Sequence, residues 1–137
     1  MDKRVIGALS LLALLVTGVA AIPAQAQGSA ALAPQVNRDG GVTVKVTPLP
    51  IEPGSWRFEV VLDTHSVDLI QNIVETAVLI DDEGMEHKPS AWEGDPPGGH
   101  HRKGVLKFEG IPKAIVIRLE IRQVGIPKRR FTWPLPK

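Results

Sequence analysis

Val42-Thr43-Val44-Lys45-Val46-Thr47 alternates a β-branched apolar residue with a polar one at every step. A period of two puts the three valines on one face of an extended chain and the polar residues on the other. That is the pattern of a strand with one face buried. The alternation returns in Trp56, Phe58, Val60 and Leu62 against Arg57, Glu59 and Asp63, with only Val61 breaking the polar series. Further along, Ile115, Ile117, Leu119 and Ile121 alternate with Val116, Arg118, Glu120 and Arg122, and Phe131 and Trp133 with Arg130 and Thr132.

Shorter apolar runs at 77–81, 85–89 and 105–108 complete a series of about seven strands. The prolines of Pro48-Leu49-Pro50, Ile111-Pro112 and Ile126-Pro127 fall between runs, where a missing N–H costs no ladder bond. Regularly spaced short strands with turn signals predict an all-β antiparallel sandwich. Asp81-Asp82-Glu83-Gly84 is a tight turn, so the strands on either side of it belong to one sheet. This favours an immunoglobulin-like, fibronectin-type division: first, second and fifth strands in one sheet, third, fourth, sixth and seventh in the other. Segment 67–76 is ambiguous, because Val67, Ile70 and Val74 also fit a helical turn.

Upstream of the strands, Lys3 and Arg4 precede an uncharged, largely apolar run of seventeen residues, Val5 to Ala21, and Ala24-Gln25-Ala26 supplies small residues at a cleavage site. These features predict a secretory signal peptide over residues 1–26 and a periplasmic or secreted protein. With the leader removed, no membrane insertion is expected, since no later apolar segment is long enough to span a bilayer. Residues 27–39, rich in Ala, Gln, Ser and Gly with Pro34, read as a flexible linker, and 40–137 as the sandwich domain.

Cleavage takes Lys3, Arg4 and Asp2 from the 16 basic and 15 acidic side chains, leaving fourteen of each. A neutral mature chain argues against nucleic acid as a partner. The absence of cysteine excludes disulfides, thiolate metal sites and thiol chemistry.

One stretch looks unlike scaffolding: Trp92-Glu93-Gly94-Asp95-Pro96-Pro97-Gly98-Gly99-His100-His101-Arg102. Read as a long connection, it offers Trp92, Glu93, Asp95 and Arg102 as binding residues. Read as scaffolding, its prolines stiffen the loop, its glycines turn it and Trp92 closes the core. Asp63-Thr64-His65-Ser66-Val67-Asp68 adds a second element. Asp63 and His65 share a strand face, and the fibronectin-type order brings them beside His100 and His101. Asp63, His65, His100 and His101 are the ligand types that Zn²⁺ or Cu²⁺ takes. Adjacent histidines on a strand face opposite ways, so two or three ligands are expected sooner than a full tetrahedral set.

Other chemistries lack their context. Asp63, His65 and Ser66 supply triad residue types without a nucleophile turn. Glu93 and Asp95 form a carboxylate pair without the deep pocket of a glycosidase. The cluster Lys128-Arg129-Arg130, with Arg118 and Arg122, reads as a solvated sheet face, or as a modest patch for an anionic partner.

The Asp63-Thr64-His65-Ser66 and Trp92 to Arg102 motifs, with Gly104-Val105-Leu106, resemble those of a group of uncharacterised small exported bacterial proteins. The resemblance spans roughly residues 41–134. It implies an exported, small, β-rich protein and no catalytic residues. The expectation is therefore an exported, non-catalytic binding module without a cofactor, recognising a protein or envelope component through the 92–102 loop and the 63–68 turn. The alternative is a periplasmic Zn²⁺- or Cu²⁺-binding protein.

Overall fold

The computed structural model describes residues 31–137, and the expected leader lies outside the described residues. Nine strands, one short helix and a 3₁₀ turn follow in chain order: β1 Gln35–Asn37, the 3₁₀ turn Asp39–Gly41, β2 Val42–Pro48, β3 Ser55–Thr64, α1 Ile73–Thr76, β4 Ala77–Ile80, β5 Glu86–His87, β6 Ala91–Gly94, β7 His101–Glu109, β8 Val116–Val124 and β9 Ile126–Pro134. Two antiparallel sheets face each other. Sheet A has the order β1-β2-β3-β7-β6 and sheet B the order β5-β4-β8-β9. The first, second and fifth expected strands (β2, β3 and β7) thus share one sheet, and the other four expected strands (β4, β5, β8 and β9) share the second.

The alternation read in the sequence is the inside–outside alternation of these strands. Val42, Val44 and Val46 are fully buried, as are Phe58, Val60 and Leu62 on the neighbouring strand β3. Their counterparts from sheet B are Leu79, Ile117, Leu119, Ile121, Phe131 and Trp133. Phe58 joins the two layers, with its ring 5.8 Å from Phe108 in an edge-on contact and 5.7 Å from Trp133 across the sandwich. The expected turn at 81–84 forms as read: Asp81 Oδ1 accepts the N–H groups of Glu83 and Met85, and Gly84 takes φ 82°. Of the ambiguous segment 67–76 only Ile73–Thr76 is helical, as α1, capped by the Asn72 side chain, which accepts the Val74 N–H at 3.1 Å; Val67 and Ile70 lie in irregular chain before it.

Two boundaries differ from expectation. The linker expected over 27–39 contains a strand, since Gln35–Asn37 pairs with Val44–Val46 of β2. Its anchors come from sheet B. The Gln35 side-chain amide donates to the Thr132 carbonyl and accepts the Thr132 N–H, so it stands in for a neighbouring strand on the open edge of β9. Trp133 Nε1 donates to the Ala33 carbonyl, and Arg129 donates to Asn37 Oδ1 and the Asp39 carbonyl. These partners lie 90 to 100 residues away in sequence, and no local pattern announces them.

The second boundary concerns 92–102. This stretch is no single loop, because Ala91–Gly94 forms edge strand β6 against Gly104–Lys107, and β7 already begins at His101. Glycines on both strands permit the approach. A Cβ on Gly104 would stand 2.6 Å from the Trp92 ring, closer than packed atoms come.

The outer face of sheet B carries one buried acid. Glu120 is 1% exposed beneath Arg122, Lys128 and Arg130, whose cationic groups approach it at 2.7, 3.3 and 3.0 Å. Burial alone raises its carboxyl, but the bonds from Arg122, Arg130 and Lys128 outweigh that and hold it below its ordinary value. A depressed folded-state value stabilises the fold above the unfolded value near 4.5, and the contribution disappears as pH falls through the folded value. Glu120→Gln is therefore expected to cost about 1–2 kcal/mol at neutral pH, with the difference from wild type shrinking below about pH 4. Urea midpoints across pH check this, and a constant difference would refute it.

Candidate functional site

The antiparallel register of β3 and β7 sets Asp63 directly opposite His101, as the sequence reading placed them. The end of β3, the start of β7 and the connections 65–72 and 95–100 together form one end of the sandwich, here termed the histidine end. Its loops are held by main-chain bonds across three segments. Thr64 N–H donates to the His100 carbonyl, Leu69 N–H to Gly99 and Gly98 N–H to Leu69, all at 2.8–3.0 Å.

Beneath these bonds lies Arg102, which is 1% exposed. Expected on the binding surface, it points inward, because its place in the β7 alternation is a core position. Its guanidinium donates to the Leu69 carbonyl at 3.0 Å, to Gln71 at 2.7 Å and to Asp95 at 3.3 Å. It also sits 5.8 Å above the Trp92 ring. Burial lowers its pKa, and nearby Asp95 offsets part of that. Three carbonyls from two connections thus converge on one cation, which orders both loops at once.

The other expected binding residues are also engaged within the fold. Trp92 is half-buried against the core, and its Nε1 donates to the Asp95 carbonyl at 2.9 Å. Glu93 accepts from Lys107 Nζ, and Asp95 Oδ2 accepts the Lys103 N–H at 2.8 Å. Arg102 is buried and Trp92 half-buried, while Glu93 and Asp95 stay exposed.

Of the four expected metal ligands two meet. His101 Nδ1 pairs with Asp63 Oδ1, whereas His100 Nε2 lies 3.3 Å from Asp68 Oδ1, a carboxylate outside the expected set. His65 is exposed and joins neither pair. Among the described residues, no group of three or more His, Asp or Glu side chains is placed to hold one ion. Sequence spacing put these residues at one end correctly, but strand alternation and the turn at 98–99 send them in separate directions. Asp68 was the residue missed. Its signal was its position in the turn that ends β3.

The histidine end therefore presents His65, Asp68, His100 and His101 to solvent on loops fixed from below. No pronounced cavity of the described residues is lined by any of them. Comparison with known proteins finds no matching family model, curated protein or solved structure.

Proposed function

We propose that this protein is an exported, non-catalytic interaction module built on an immunoglobulin-like, fibronectin-type sandwich. The order β2-β3-β7 against β5-β4-β8-β9 supports the fold type, with β1 and β6 added at the edges of sheet A. Export rests on the leader pattern of residues 1–26, and no described helix is long and apolar enough to cross a membrane. The working surface is the histidine end, with a protein or envelope component as its partner.

The observation that carries this reading is the fixing of two loops by one buried arginine. Ordering a binding surface before contact removes the entropy cost that a partner would otherwise have to offset.

The test is site-specific photo-crosslinking in exporting cells. A photoreactive residue at position 65 or 100 should form a discrete adduct, and one at Lys45 on the outer face of sheet A should not. With the photoreactive residue at position 65, a His100→Ala/His101→Ala variant should lose the adduct while melting within a few degrees of wild type, since surface changes cost little, about 0.5 kcal/mol each. Adducts at neither loop position, or equally at position 45, would remove this reading.

Metal binding is the second reading, and it is supported by one imidazole–carboxylate pair within the expected set, Asp63 with His101, beside the His100–Asp68 pair. Asp63 would orient the ring and leave Nε2 outward, as second-sphere carboxylates do. Sub-micromolar binding in a calorimetric Zn²⁺ titration of the untagged protein would raise this reading above the first.

A further inference from the structure

At the end of the sandwich opposite the histidines lies a cavity of about 160 Å³ lined by Leu32, Leu49, Pro50, Ile51, Ala114 and Leu135, with Ala31 and Pro136 at its margin. Every lining side chain is hydrocarbon. The cavity exists because the ladders stop there. Leu49 N–H bonds to the Arg57 carbonyl and Leu135 N–H to Ile115, and the next residue in each chain is a proline with no N–H to continue. The chains diverge from that point, and Leu32 covers the gap from the side of β1.

We propose that this cavity binds the hydrocarbon end of an acyl or alkyl chain, with the head group left in water. Its volume is close to the roughly 150 Å³ of an engineered apolar cavity that stays dry and takes benzene, so about six carbon atoms fill it. A neighbouring depression lined by Ile51, Pro53, Trp56, Ile111 and Pro112 shares Ile51 and gives a longer chain an apolar track outward. The lining favours an alkyl chain over an inserted peptide. A peptide brings its own N–H and C=O groups, and the prolines and the already bonded Leu49 and Leu135 amides offer its carbonyls no donor. The acid in the shared depression, Glu52, is taken by Arg57 at 3.1 Å.

The site is independent of the histidine end, and its test reads a different quantity. Methyl NMR of the mature protein would be followed during titration with n-alkanols and n-alkanoates of four to ten carbons, each below its aggregation concentration. Shifts should centre on Leu32, Leu49, Ile51 and Leu135. Affinity should rise about fourfold per added methylene up to roughly six carbons and more slowly beyond, nearly alike in both series. Ala114→Leu, which fills the cavity, should weaken hexanol binding at least tenfold, with Ala31→Leu as the second variant should the first melt early. Length-independent affinity, shifts centred elsewhere, or undiminished binding by a folded filled variant would each overturn the proposal.

Discussion

Arg102→Met is expected to lower the unfolding free energy by about 2–4 kcal/mol, although the replacement is apolar and of similar reach. The guanidinium donates to the carbonyls of Leu69, Gln71 and Asp95; with a thioether in its place Leu69 keeps the Gly98 N–H and Asp95 keeps Trp92 Nε1–H, whereas Gln71 loses its donor and three charge-assisted bonds are lost in all. A bond from a charged donor contributes roughly 1.5–3 kcal/mol, and an orphaned buried carbonyl costs about 1–3 kcal/mol. Against this stands the relief of desolvating a cation whose Nε has no partner even in the wild type. The losses are more numerous than the single gain, so the net is destabilising. For a domain of this size the melting temperature should fall by roughly 10–20 °C. Arg102→Lys should recover less than half of the loss, because an ammonium on a flexible stem cannot reach three carbonyls in a fixed plane. Hydrogen exchange locates the effect: the Leu69 and Gly98 amides should open first, since their bonds cross the loops that Arg102 supports. Stability within about 0.5 kcal/mol of wild type would show that the arginine is only tolerated in the core.

Phe58→Ala is the second large effect, at about 3–5 kcal/mol. Phe58 is fully buried and is the ring that contacts both Phe108 in its own sheet and Trp133 in the other. Truncation removes transfer energy, leaves a cavity between two rigid sheets, and deletes two aromatic contacts of about 0.5–1.5 kcal/mol each. Both sheets are held by their own ladders and close little over the gap, which places the cost toward the upper part of that range. A denaturant series should show a lower midpoint with an unchanged slope, as expected when stability falls and the unfolded state does not change. Val61→Ala is the control. It lies on the same strand with its side chain on the outer face, and should cost no more than about 1 kcal/mol. Equal effects at 58 and 61 would contradict the inside–outside assignment of β3.

Much of the scaffold was legible because β-strand burial leaves a period of two in the residues themselves. Val42 to Thr47 and Trp56 to Leu62 announce both their conformation and their buried face. The Asp81–Gly84 turn announces a hairpin through its Asx bonds and its positive-φ glycine. Strands β1 and β6 were not legible. Each is short, and each forms because of what lies across from it: Thr132 and Arg129 for β1, Gly104 for β6.

The candidate site divides along the same line. Chain order and antiparallel pairing were enough to bring Asp63 opposite His101. Which of the remaining residues would face solvent was beyond a local reading. Arg102 and Trp92 look like surface anchors by type, yet β7 begins at His101, ahead of the expected run at 105–108, and its alternation carries Arg102 onto the inner face.

By itself the sequence determined the all-β class, the burial face of each long strand, the absence of thiol chemistry and a leader pattern ahead of the domain. All of these are properties of residue type and short-range spacing. Only the tertiary structure decided that the tryptophan and arginine of the 92–102 stretch belong to the scaffold, that the histidines separate into different pairs, and that an apolar cavity opens at the far end. The physical reason is that each of these depends on partners from distant parts of the chain: carbonyls for a buried cation, carboxylates for each imidazole, and ladders that end at prolines. Such partners become neighbours only when the two sheets close on one another.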